Sequence, residues 1–351
     1  MSEALSRIAA TIAAQGPVTV AQFMAMALIE QRSGYYATRN PLGGAGDFIT
    51  APLVSQMFGE LIGLWCAQCW EDQKRPARPL LVELGPGDGT LMRDALRALK
   101  LAPEFRSQIE VVLVETSPVL REAQARALAD TGVAVQPAES VDAVPHDRPL
   151  FLVANEFFDA LPIHQYVKTP RGWCERMVRL DSEGGLAFAV APVALPPGRV
   201  PANRDGAPDG GVYEASPAGE AIVEEIAHRI AADGGAALLI DYGYATPGFG
   251  ETLQAVAAHK FCDVLAAPGS ADLSAHVDFA ALGEAAGRGG ARACGPVEQG
   301  AFLTALGIVQ RAQKLRDDEA LMRLTAPEQM GALFKALAIV PKTAPAPAGF
   351  A

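Results

Sequence analysis

Residues 81 to 90, LVELGPGDGT, constrain this chain more than any other stretch, because few folds use an apolar run that ends in an acid and passes into glycines spaced G-x-G-x-G. Leu80 to Leu84 suit a buried parallel strand and Thr90 to Leu99 carry the apolar spacing of a helix, so the glycines fall on a strand-to-helix turn. Gly85, Gly87 and Gly89 let the backbone turn tightly and approach a ligand with no Cβ in the way. The motif reads as a nucleotide loop. A nicotinamide-binding fold needs G-x-G-x-x-G, and here Gly89 arrives one residue early, which disfavours an oxidoreductase. On these residues alone, a loop for another nucleotide and a plain tight turn stay open.

A second signal lies roughly thirty residues past Gly85, where IEVVLVE ends in Glu115 before Thr116, Ser117 and Pro118. An acid that closes the second strand accepts hydrogen bonds from both ribose hydroxyls of a nucleotide, ordinarily about twenty residues past the glycines. The longer interval fits a longer helix and the Ala102 to Gln108 connection. The alternative is a solvated strand-end glutamate. Opened by Glu83, the form E-x-G-x-G-x-G resembles the first motif of class I S-adenosylmethionine (SAM) methyltransferases.

At 351 residues and 50% hydrophobic, the chain can bury a large core and is long for one domain, which suggests a main domain with sizeable insertions. No apolar run reaches the roughly 18 residues that span a bilayer, and MSEALSRIAATIAA has neither a signal-peptide nor a transit-peptide layout, so the expected location is the cytoplasm with no membrane insertion. A net charge of -11 argues against nucleic-acid binding as the main activity and leaves basic protein partners open. Cys66, Cys69, Cys174, Cys262 and Cys294 are too few and scattered for a disulfide framework. Cys66 and Cys69 form C-x-x-C, but no second pair stands at zinc spacing, so they read as buried packing and no metal is expected.

Along the chain, residues 1–78 read as a helical region around a glycine-rich loop, GYYATRNPLGGAGDFITAP. Residues 79–340 form the main α/β domain. Strands are expected near 80–85, 109–115, 132–137 and 150–154, with helices near 89–100 and 118–130, an alternation that predicts a doubly wound, Rossmann-like parallel sheet. An insertion of β-hairpin and helical segments is expected around 166–235, with a hairpin turn at Asp181 to Gly185 and a Pro/Gly-rich surface loop after it. The ALLID segment is a buried strand, and 341–351 reads as a flexible tail.

Polar residues gather where strands end, which is where ligands bind to a parallel sheet. The fourth strand, FLVA, runs into Asn155, Glu156, Phe157, Phe158 and Asp159, and two carboxylates three apart beside a nucleotide loop suit the clamping of a cation. A helix-capping acid next to a solvated one is the competing reading. Asp241 in DYGY and His276 in HVDF stand at two further strand or loop ends, and a lone histidine is often structural.

GYY at 34–36, GDFITAP at 46–52, ELGPGDGTL at 83–91, VETSPVLREAQ at 114–124, NEFFDALPIH at 155–164, DYGY at 241–244, PGSADLSAHVDF at 268–279 and MGALFKALA at 330–338 together resemble the MidA family across nearly the whole chain. Where that family has GDF-x-TSP, this chain carries Ala51 in place of the serine. The resemblance implies a bacterial member of a SAM-dependent methyltransferase family that includes an assembly factor which dimethylates an arginine on the 49-kDa-type subunit of respiratory complex I. It implies a SAM site made by Glu83, Gly85, Gly87, Gly89, Glu115 and Asn155, closed over by Gly46, Asp47, Phe48 and Thr50, with the adenine near Ala138 and Glu139. Glu156, Asp159 and His276 are then the candidates for handling a guanidinium, whose pKa above 12 makes it a poor nucleophile while protonated. A non-catalytic assembly factor that keeps the fold is the alternative.

Overall fold

The computed structural model describes residues 2–28, 35, 50–198, 200, 206–246, 248–257 and 260–350. Every residue of the Leu80–Leu84 strand is buried, as a parallel strand covered on both faces requires. It pairs in parallel with Glu110–Val114 on one side and Leu150–Asn155 on the other. Val135–Ala138 extends the first side and Gly235–Tyr244 the second, again in parallel. Phe334–Val340 and then Arg292–Glu298 close that second edge antiparallel. The chain therefore winds outward from Leu80–Leu84 in both directions. A topological switch of this kind opens a crevice at the carboxyl ends of the central strands, and the glycine turn and the Glu156 to Asp159 segment both sit at those ends.

The predicted helices appear as Thr90–Ala98 and Pro118–Leu128, each started by a side chain that accepts a hydrogen bond from a first-turn N–H. Asp88 Oδ1 accepts from Thr90 N at 2.9 Å and Ser117 Oγ from Leu120 N at 3.4 Å. Helix Gln56–Asp72 is apolar on most of its faces and belongs to the same core. Glu60 on that helix is nearly buried, and burial alone would raise its pKa; Arg311 at 2.6 Å and Arg97 at 3.0 Å outweigh it and hold the carboxyl below its ordinary value. Cys66 and Cys69 lie inside this core as free thiols, with burial pushing Cys66 up to about 12 and Cys69 higher still, so both are packing residues.

Contacts divide the chain into two units, one of residues 1–41, 160–218 and 247–276, the other of 42–159, 219–246 and 277–351. The first holds a five-stranded sheet in which Gly172–Leu180 is flanked by Val18–Thr19, His164–Thr169 and Leu186–Val190, and a three-stranded sheet centred on Gln254–Ala257. The hairpin at Asp181 forms as predicted, its Oδ1 accepting from Glu183 N and Gly185 N at 2.8 Å each. Two sequence expectations are corrected. Residues 1–78 do not form one region: Val18 pairs with Val178 and carries the first two helices into the first unit, while Gln56–Asp72 packs in the second. The 341–351 segment is not a loose tail over its described residues, because Phe350 packs on Phe302 at 5.2 Å and Ala348 O accepts from Trp65 Nε1 at 3.1 Å. Among the described residues no helix is long and apolar enough to cross a membrane.

Candidate active site

The glycine turn has the geometry the motif implies. Gly85, Gly87 and Gly89 take φ of 60°, 54° and 87°, all in the left-handed region that favours glycine. A Cβ on Gly85 would meet Phe157 Cδ2 at 3.0 Å, and one on Gly89 would meet the Gln124 backbone at 3.3 Å. The turn is pinned by Gly85 N donating to Val114 O at 3.1 Å and by Gln124 Nε2 donating to Gly87 O at 2.7 Å.

Two buried acceptors beside this turn have no partner, Glu83 Oε2 and Asn155 Oδ1. The register sets Glu83 opposite Val153, and since side chains alternate along a strand, Asn155 shares the face of Glu83 at the end of the adjacent strand. Burial, with help from the nearby Asp88 carboxyl, pushes Glu83 up to about 8. An unpartnered buried carboxyl is costly unless a cation arrives. The ammonium of a methionine moiety would bring positive charge and N–H donors to these two oxygens, so these residues fit SAM.

Glu115 stands where the second strand ends, with Oε1 accepting from Ser117 N at 2.8 Å; burial raises its pKa against the N–H groups of Ser117 and Thr116. Arg121 ties this end to the next strand, donating to Glu115 O at 2.7 Å and Ala138 O at 3.5 Å and pairing with Glu139 at 3.4 Å. Ala138 is buried and the Glu139 side chain is largely exposed, so the pair forms a rim at the end of the third strand. Sequence reasoning passed over Arg121 and Gln124, although their spacing of three on one helix face was a usable signal.

At the fourth strand end, Glu156 has φ of 50°, a left-handed conformation that costs a residue with a side chain about 1 kcal/mol. Its Oε1 accepts from Ala51 N and from Asn155 Nδ2, both at 3.1 Å. Burial pushes the Glu156 carboxyl up to about 7, and the carboxyl of Asp159 pushes in the same direction. Asp241, 1% exposed on the neighbouring strand, also feels both acids. Its pKa is raised chiefly by burial and next by Asp159 and Glu156, against backbone N–H groups that favour the anion. Three carboxyls thus crowd one strand end, an arrangement that favours an incoming cation.

Of the predicted closing segment, Gly46, Asp47 and Phe48 lie outside the described residues. Thr50 is described and precedes the short helix Ala51–Val54. Ala51 is fully buried and contributes its backbone N–H to Glu156, a contact no side-chain motif could announce. His276 belongs to the first unit, where its N–H donates to Thr252 Oγ1 at 2.9 Å. Thr252 N in turn donates to Glu214 at 3.0 Å. Burial lowers the His276 pKa, with Glu214 opposing.

Comparison with known proteins identifies the family of the chain. The chain matches a protein family described as S-adenosyl-L-methionine-dependent methyltransferase over residues 61–297. Among curated proteins it is 37% identical to the mitochondrial protein arginine methyltransferase NDUFAF7 of Bos taurus and 38% identical to that of Homo sapiens, covering 94% of this chain and 81% of each relative. Among solved structures it resembles a Burkholderia thailandensis protein bound to S-adenosyl-homocysteine, with a TM-score of 0.86 and 28% identity over 99% of this chain and 94% of the other. With the matched family covering the glycine turn, all three acids and the parallel strands of the central sheet, the chain belongs to this family of SAM-dependent methyltransferases.

Proposed function

We propose that this methyltransferase modifies an arginine of a protein substrate, with Glu156 and Asp159 as the groups that receive the guanidinium. The carrying observation is the held Glu156 carboxyl at the strand end, fixed by Ala51 N and Asn155 Nδ2 and crowded by a second acid. Relatives named as protein arginine methyltransferases support the reading. Bound SAM supplies the sulfonium methyl. Glu83 and Asn155 hold the ammonium, the glycine turn admits the methionine backbone, Glu115 orients the ribose, and Ala138 and Glu139 border the adenine.

Transfer forms an N–CH3 bond, breaks the S–CH3 bond, and releases S-adenosyl-homocysteine and one proton. A protonated guanidinium offers no lone pair, so the acid pair must orient it, balance its charge and take up that proton. A carboxyl with pKa near 7 is matched to this task at neutral pH. Alignment of the nitrogen with the methyl supplies much of the remaining acceleration, on the order of several kcal/mol. We assign the 49-kDa-type subunit of respiratory complex I as the substrate and the bacterial cytoplasm as the site of action, in keeping with the resemblance and with five free cysteines.

Mass spectrometry of that subunit from cells with and without this gene tests the substrate: an arginine methylated only when the gene is present supports it. Glu156→Gln and Asp159→Asn test the roles. Each keeps the side-chain shape and removes charge, so SAM affinity by calorimetry should hold within about threefold while transfer falls roughly a hundredfold or more. Parental rates in both variants would refute the acid clamp, and loss of SAM binding in both would move these residues to the cofactor site.

A further inference from the structure

The segment that presents Glu156 and Asp159 has no regular structure of its own, yet it is fastened at every residue. Glu156 N donates to Ile240 O at 2.9 Å, extending the ladder between the Leu150–Asn155 and Gly235–Tyr244 strands by one residue. The next three N–H groups then leave the ladder and converge on one atom. Phe157 N, Phe158 N and Asp159 N donate to Asp241 Oδ2 at 3.2, 3.0 and 3.2 Å. Asp241 Oδ1 accepts from Tyr242 N at 2.9 Å, so both carboxyl oxygens are committed to backbone.

We propose that Asp241 is a positioning residue for methyl transfer, its carboxylate standing in for a missing piece of β-ladder to hold the Glu156 to Asp159 turn. The chemistry requires an acid there. A single oxygen that accepts three successive N–H groups needs the electron density of a carboxylate, and a hydroxyl or an apolar side chain would leave buried donors without partners. The left-handed φ of Glu156 matters in the same way, because a residue in that conformation stays put only when its surroundings over-determine it. Asp241 supplies that restraint immediately downstream. Its site on the adjacent strand, one residue past the Ile240 to Asn155 pair, places the carboxyl within reach of the turn. Asp241 therefore acts through Glu156 and Asp159, and its reach to substrate is indirect.

The inference rests on the assignment of Glu156 as a guanidinium acceptor, and the test separates the two. Amide hydrogen exchange across residues 156–160 is read in the parent, Asp241→Ala and Asp241→Asn, with SAM affinity and melting temperature measured alongside. Asp241→Ala should expose the three amides and speed their exchange at least a hundredfold while changing the SAM Kd less than about threefold. Asp241→Asn retains one oxygen of lower electron density for the three donors and should leave protection between that of the parent and that of Asp241→Ala. Unchanged protection in a folded Asp241→Ala protein overturns the clamp. Methyl transfer to the 49-kDa-type subunit is then measured in Asp241→Asn, Glu156→Gln and the double variant. Action through Glu156 predicts that the double variant is no slower than Glu156→Gln, whereas losses that multiply overturn it. Full activity of Glu156→Gln would instead defeat the guanidinium assignment, and the exchange result would still decide the clamp.

Discussion

Replacing Glu83 by glutamine should stabilise the ligand-free protein and weaken its hold on SAM at the same time. The side chain is 2% exposed, its Oε2 has no partner, and burial lifts its pKa from 4.5 to about 8. The unfolded chain loses this proton near 4.5 and the folded one near 8, so between those values the folded state binds more protons and stability falls as pH rises. Below 4.5 both states hold the proton and the penalty vanishes. Each pH unit above the ordinary value costs about 1.4 kcal/mol, which amounts to roughly 3 kcal/mol by about pH 7. Glutamine carries no such slope. The stability of Glu83→Gln relative to the parent should therefore climb by roughly 3 kcal/mol between about pH 4 and pH 7, or about 5 °C of melting temperature in a chain of this size. Against SAM the sign reverses, since a hydrogen bond between charged groups contributes about 1.5 to 3 kcal/mol and its loss weakens binding roughly tenfold to a hundredfold. Parental affinity should itself tighten between about pH 6 and pH 8 as the carboxyl loses its proton to solvent and meets the ammonium as an anion. Thermal melts across pH and titration calorimetry supply both readings. A stability difference that does not vary with pH, together with an unchanged SAM Kd, would refute the argument.

Gly87→Val places a branched side chain at a φ of 54° and should abolish detectable SAM binding in a protein that still melts cooperatively; calorimetry showing parental affinity would remove the loop from the cofactor site. Glu115→Ala should weaken SAM and S-adenosyl-homocysteine alike by about 1 to 3 kcal/mol, because the ribose is common to both. A change in the ratio of the two affinities would show that Glu115 senses the methyl end and not the sugar.

The central strands and their glycine turn were legible in the chain itself because each is specified by neighbours in sequence. An apolar run such as Leu80 to Leu84 has no stable place except inside a sheet, and three glycines within five residues mark a backbone that no side chain tolerates. The acids that end the strands could be named for the same reason, since a strand's polarity sets where its ligand end lies. What each acid does was not legible. Asp241 reads as one more strand-end carboxylate, yet its Oδ2 is taken by backbone N–H groups more than 80 residues earlier, while Glu83 Oε2 and Asn155 Oδ1 are left without partners. Partner counts of this kind depend on strand order and register, which bring residues 83, 155 and 241 to neighbouring strand ends. The grouping of 1–28 with the insertion followed from one pairing, Val18 with Val178, and the seating of the last residues from Phe350 on Phe302. Local sequence selects the conformations a segment can adopt, but burial and the choice of hydrogen-bond partner are properties of distant segments meeting, and those only the tertiary structure decides.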